Sequence, residues 1–207
     1  METQTKERQN KLTPKEIKQL LIDGNERFAN GKMMQRDLLF QVKQTSVGQY
    51  PHTVVLGCID SRATTEQIFD QGIGDVFNTR IAGNVVNDDI LGSLEFACKV
   101  AGSKLVLVLG HTRCGAVTSA CNGVKMGNMT NLLERISPAI EKVKTKFDII
   151  TTPEAIQLVG VENVYNSMKE IREKSPILKE LEQEGRIKII GGMYDVETGK
   201  VDFFIGA

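Results

Sequence analysis

Tryptophan is missing from the 207 residues and aromatic side chains make up only 5% of them, so a base-stacking face or a carbohydrate platform has little to build on. Surplus charge is missing too. The 26 basic residues balance the 26 acidic ones, which argues against nucleic acid or an anionic membrane as the main partner. No apolar run approaches the roughly 18–20 residues that cross a bilayer. The opening stretch, METQTKERQNK, lacks the apolar segment of a secretory signal. A cytoplasmic chain is therefore expected, and there thiols stay reduced. The four cysteines are then ligands, nucleophiles or core residues rather than disulfide halves. Histidine is scarce, with only His52 and His111, and no Cys-x-x-Cys pair exists to close a structural zinc site or run dithiol chemistry.

The organisation that is present reads as one domain over residues 13–207 behind a flexible N-terminal arm, residues 1–12. Thr13-Pro14-Lys15-Glu16 opens a helix, with Thr13 as cap, Pro14 at the first helical position and Glu16 completing a capping box. Ile17, Leu20, Leu21 and Phe28 follow at helical spacing, and Gly31 ends the helix. TVVLG at 53–57 is a short apolar run without alternation, as in a strand covered on both faces. A short helix is expected at 64–71, a strand from Asp75 to Thr79, a helix from Asp88 to Ala101, the strand KLVLVL at 104–109, and a helix from Gly115 to Asn122. Residues 131–147 and 153–184 are charged and amphipathic, with a break at Ser175-Pro176. The chain closes on a strand, a Glu197–Lys200 turn and a strand. The alternation predicts an α/β fold. Its central, mostly parallel β-sheet is flanked by helices, with an antiparallel C-terminal edge and an N-terminal helical arm.

In such sheets, sites form at the carboxyl ends of strands. Cys58-Ile59-Asp60-Ser61-Arg62 begins where TVVLG stops, and His111-Thr112-Arg113-Cys114-Gly115 begins where KLVLVLG stops. If the two strands are neighbours, Cys58, His111 and Cys114 converge. Two thiolates and an imidazole suit Zn²⁺, and three protein ligands leave the fourth position open, as catalytic zinc requires. A helix beginning after Cys114 would favour its thiolate form. Asp60 is close enough in sequence to reach the open position, as a ligand or as acceptor for a bound water, and Arg62 can grip its carboxylate and keep it ionised. Taken singly these pieces are bland. A lone cysteine at a strand end is a small core residue, His-x-x-Cys recurs by chance, and Asp-Ser-Arg is a turn with a surface ion pair. Only their joint placement points to metal chemistry. Cys98 and Cys121 lie within helices and read as core. His52, after Pro51, reads as a surface residue.

This pattern resembles the β-class carbonic anhydrases, whose mark is Cys-x-Asp-x-Arg followed some 50 residues later by His-x-x-Cys-Gly. Residues 75–84 (DVFNTRIAGN) and 191–195 (GGMYD) resemble further family segments, so the likeness runs over about residues 13–205. It implies reversible hydration of CO₂ to bicarbonate and a proton, with zinc-bound hydroxide as nucleophile. Cys58, His111 and Cys114 would be the ligands, Asp60 and Arg62 the catalytic dyad. Gln49 would hydrogen-bond the bound anion. Phe77, Ala82 and, from a partner subunit, Phe96 would line an apolar CO₂ pocket, with Gly83 letting the backbone approach the substrate. A homodimer or homotetramer is implied, with the N-terminal helix wrapped on a neighbour.

Some members close the zinc with the aspartate and hold that state through bicarbonate in a Trp/Arg/Tyr pocket. Arg80 and Tyr194 match two of the three, but Val55 stands at the tryptophan position, and Gln49 favours the always-open type. Ala63 and the Asn78–Ile81 stretch also depart from the family pattern. The rival readings are a CS₂ or COS hydrolase on the same zinc site, and a non-catalytic zinc-binding assembly protein, which would have no need of the dyad.

Overall fold

The computed structural model describes residues 3–205. In chain order the elements are α1 (Lys6–Lys11), α2 (Pro14–Ala29), α3 (Leu38–Thr45), β1 (Thr53–Gly57), α4 (Thr65–Ile68), β2 (Val76–Arg80), α5 (Asp88–Glu95), β3 (Leu105–His111), α6 (Gly115–Cys121), α7 (Gly127–Glu134), α8 (Ser137–Lys144), α9 (Pro153–Lys174), α10 (Pro176–Gln183), β4 (Lys188–Tyr194) and β5 (Val201–Ile205). The sheet order is β2-β1-β3-β4-β5. The first four strands are parallel and β5 closes the edge antiparallel, as the patterning predicts.

Both faces are covered, which is why the central strands carry no alternation. Val54, Leu56, Val106, Val108 and Ile189 pack beneath α5, α9 and α10 through Leu94, Met168 and Leu178. Val55, Leu105, Leu107, Leu109 and Ile190 face the other way, against Ile17 and Leu21 of α2 and against Ile68 and Phe69. A third cluster lies over the carboxyl end of the sheet, joining Cys58 and Cys114 to α6, α8 and the first half of α9.

Helix α2 starts as its sequence dictates. Thr13 accepts from Glu16 N, and the Glu16 carboxylate accepts from Thr13 N at 2.8 Å. Gly31, at φ +66°, follows its end. The helix lies so close to the turn after α4 that a Cβ on Gly24 would sit 1.9 Å from the Phe69 carbonyl oxygen, and only glycine permits that approach. Asn25 ties the same helix to the closing hairpin, donating to the Ile68 and Gly199 carbonyls and accepting from Val201 N at 2.8 Å.

Three expectations need correction. The stretch expected to be a mobile arm carries α1, and Gln9 docks it by donating to the Pro51 and Ala101 carbonyls at 2.9 and 2.8 Å. Between α2 and β1, residues 38–45 form α3, capped by Asp37 onto Phe40 N. The single helix expected over 131–147 is two, divided just before Ser137-Pro138, since proline suits a first helical turn and not an interior. The Asp88–Ala101 helix widens to a π-helical turn over Phe96–Val100.

Candidate metal centre

Strands β1 and β3 are parallel neighbours, with Gly57 level with Leu109, so the loops that follow them meet at one rim. The ligand atoms of Cys58, His111 and Cys114 all lie within 4.8 Å of one another and all three residues are buried. The two sulfurs are 4.0 Å apart. His111 Nδ1 is engaged with the Thr112 carbonyl at 2.9 Å, which assigns the proton to Nδ1 and leaves the Nε2 lone pair free. That Nε2 is buried and has no hydrogen-bond partner.

The Cys58 thiol is pulled down, chiefly by its hydrogen-bonding contact with Cys114 and, against burial, by His111 and the amides of Gly83 and Asp60. Cys114 is pushed up, by that same contact and by burial. Burial would lower His111, but the adjacent Cys58 sulfur outweighs it and raises the imidazole. Two buried sulfurs and an unpartnered imidazole nitrogen around one point fit a divalent zinc-like cation, whose positive charge would favour the thiolate form of both cysteines.

Beside the cluster, Arg62 grips Asp60 with two parallel bonds, Nε to Oδ1 at 2.9 Å and Nη2 to Oδ2 at 2.7 Å, and its backbone N–H adds a third at 2.9 Å. Asp60 Oδ2 lies 3.7 Å from His111 Nε2. The Arg62 hydrogen bond, against burial, holds the Asp60 carboxyl well below the usual carboxylate range. Arg80 braces the same loop, donating to the Cys58 carbonyl at 2.8 Å and the Asp60 carbonyl at 2.6 Å. Tyr194, the last residue of β4, is buried, and Arg62 and Asp60 act on its hydroxyl electrostatically. Val55 is wholly buried in the core of the opposite sheet face.

The remaining site candidates are not all gathered here. Gly83 is: its N–H donates to Cys58 Sγ at 3.3 Å. Ala82 precedes it in the same turn. Phe77 and Phe96 meet edge to face at 6.5 Å between centroids. They line a pocket of about 530 Å³ with Val54, Asp88 and Gly92, and none of the three ligand residues lines it. Gln49 is exposed. His52 is buried, its nitrogens engaged with Thr53 Oγ1 at 2.8 Å and Gln71 Oε1 at 3.1 Å, which corrects its reading as a surface residue. Sequence reasoning missed Asn163 and Ser167 of α9, which donate to the Gly83 and Asn84 carbonyls. A buried asparagine and serine one helical turn apart in an otherwise apolar stripe were the available signal.

Fold and site together define an α/β protein with a Cys₂His cluster, able to hold a metal ion, at the carboxyl ends of two adjacent strands. The family model for carbonic anhydrase matches residues 53–201. Carbonic anhydrase 2 of Mycobacterium tuberculosis is 31% identical over 186 residues, 87% of each chain. Carbonic anhydrase 1 of Escherichia coli O157:H7 is 29% identical over 195 residues, 90% of this chain and 88% of that one. Among solved structures, the β-carbonic anhydrase CafA of Aspergillus fumigatus superposes with a TM-score of 0.76 at 26% identity, covering 93% of this chain and 92% of that one. The chain belongs to the β-class carbonic anhydrases, an enzyme family of lyases.

Proposed function

We propose that this chain catalyses the reversible hydration of CO₂ to bicarbonate and a proton at a zinc ion held by Cys58, His111 and Cys114. The observation that carries this reading is the unpartnered, buried His111 Nε2 facing two sulfurs across less than 4.8 Å. Zinc bound there would supply a nucleophile near neutral pH by lowering the pKa of a coordinated water from 15.7 towards about 7. Three protein ligands leave one position of its tetrahedron for that purpose.

The chain's own residues orient the reaction. Asp60, kept ionised by Arg62, accepts a hydrogen bond at the edge of the cluster and so fixes the direction in which the nucleophile's lone pair points. Both Asp60 oxygens are occupied by Arg62, which favours this orienting role over direct ligation and hence the always-open type. Apolar Phe77 and Phe96 and polar Gln49 stand away from the cluster on one chain. They would reach a site from a second copy, as a homodimer or homotetramer supplies. The Sordaria macrospora relatives of the same fold are described as tetrameric. Among the described residues no helix is long and apolar enough to cross a membrane.

Stopped-flow hydration of CO₂ with a pH indicator, run on chain of measured zinc content, tests this. Rapid hydration in the zinc form and none above buffer in Cys58→Ser is the expected result. A zinc-loaded chain that leaves CO₂ untouched overturns the reading, and rapid H₂S release from CS₂ or COS in parallel would give the site a different substrate.

A further inference from the structure

The turn that donates to Cys58 is built from residues that do not hold themselves in place. Gly83 sits at φ +70°, ψ 16° and Asn84 at φ +44°. Glycine visits many backbone conformations, so the direction of the Gly83 N–H is not enforced by Gly83 itself. The chain side of the turn is pinned by Ile81 N on the Gly57 carbonyl at 3.0 Å and Asn84 N on the Ile81 carbonyl at 2.9 Å. Its other side is pinned from α9, about eighty residues later. Asn163 Nδ2 donates to the Gly83 carbonyl at 2.7 Å, and Ser167 Oγ, one helical turn on, donates to the Asn84 carbonyl at 3.0 Å. Asn163 is 1% exposed and Ser167 2%.

This arrangement costs stability. Asn163 Oδ1 and Asn84 Nδ2 are buried without partners, and a half-satisfied polar group inside a core is worse than an apolar side chain of the same size. The neighbours of Asn163 on the same helix, Val159 and Val164, are ordinary core residues. The carboxamide is therefore a costly choice whose evident return is the orientation of Gly83.

We propose that Asn163, seconded by Ser167, is a positioning residue for the metal centre: it clamps the 81–84 turn so that Gly83 N–H stays aimed at the Cys58 sulfur, and thereby sets how tightly and with what donor strength Cys58 holds the ion. This rests on the reading of Cys58 as a metal ligand. A hydrogen bond to a ligating sulfur withdraws charge from it and fixes its lone-pair direction, and such outer partners are worth about 10–100-fold in metal affinity. Asn163 touches neither ligand nor ion and acts only through Gly83.

The test uses the full chain in four forms: wild type, Asn163→Leu, Ser167→Ala, and Val164→Ala as a core control on the same helix. Zinc affinity is read by competition with a chromogenic chelator. The cobalt-substituted forms report the sulfur-to-metal charge-transfer band, and thermal melts report stability. Asn163→Leu should weaken zinc binding by about 10–100-fold and move the charge-transfer band to longer wavelength, because a sulfur without its N–H donor gives up charge more readily. Ser167→Ala should do the same to a smaller extent. Val164→Ala should lower the melting temperature while moving neither affinity nor band. Wild-type affinity and band in Asn163→Leu overturn the proposal, as does a control that shifts both as far. If Asn163→Leu does not fold, Ser167→Ala decides alone, and an unchanged affinity and band overturn it. A wild-type chain that binds no zinc sinks the metal reading itself, whereas zinc bound by the wild type and bound equally by Asn163→Leu sinks only the positioning role.

Discussion

The chain's two histidines stand at opposite ends of neighbouring strands, His52 just before β1 and His111 at the end of β3, and both are 3% exposed. Burial therefore does not separate them; hydrogen bonding does. Both nitrogens of His52 are occupied, whereas His111 keeps Nε2 open towards two sulfurs. The same contrast runs through the acids. Asp60, at the carboxyl rim, is paired with an Arg62 that is half exposed. Asp70, fully buried, is locked by Arg27 and Arg36 and by Met34 N. His52 and Asp70 are thus engaged within the fold, whereas His111 keeps Nε2 open beside the two sulfurs.

The contrast can be broken most directly at the histidines. His111→Ala should fold, lose its zinc and show no CO₂ hydration above buffer, whereas His52→Ala should keep zinc content and turnover per folded chain but lose about 1–3 kcal/mol of stability. Metal analysis beside denaturant unfolding separates the two. The acids give the next largest effect. Asp60→Asn should keep zinc and lower turnover by about 10²–10⁴-fold. Asp70→Asn leaves two arginines facing no counter-charge and should cost about 3–5 kcal/mol without changing turnover of the folded fraction.

Acid titration sharpens the comparison further. Burial lowers the pKa of His52, against the raising pull of Asp75 and Gln71. Unfolded, the ring takes a proton near pH 6.5; folded, it does so only at lower pH. Between those two values the unfolded state binds more protons, so stability falls as pH falls from about 6.5 to the folded pKa, by at most about 1.4 kcal/mol per pH unit. His52→Ala should flatten that slope in urea unfolding of the zinc-loaded chain, and an unaltered slope would mean that His52 is not the group responsible. The smallest effect belongs to the other cysteines. Cys98, whose thiol burial pushes up to about 12, and Cys121 are core residues. Changing either to Ala should cost about 1 kcal/mol and leave zinc content at one per chain, against its loss in Cys58→Ser or Cys114→Ser.

Where local chemistry decides an element, the residues announce it. The Thr13/Glu16 capping box, the TVVLG strand and the break at Ser175-Pro176 all lie where their residue types place them. The ligand triad was legible because two motifs each follow a buried strand. What tertiary contact decides was not legible. The six residues of α1 are too few to hold a helix alone and depend on Gln9 reaching Pro51 and Ala101. Pro51 marks a turn before β1, which reads as surface, yet His52 is enclosed through Gln71, nineteen residues away. The hydrogen bonds of the Gly83 turn to Cys58 and Asn163 join residues 25 and 80 positions away and have no local signal.

In the proposed site two sulfurs and one imidazole hold a zinc ion with one position left over. X-ray absorption at the zinc edge on the purified chain measures that directly. Two sulfurs at about 2.3 Å, one histidine nitrogen and one further light atom at about 2.0–2.1 Å are expected. A shell of four sulfurs, a shell with none, or a chain that carries no zinc at all would contradict it.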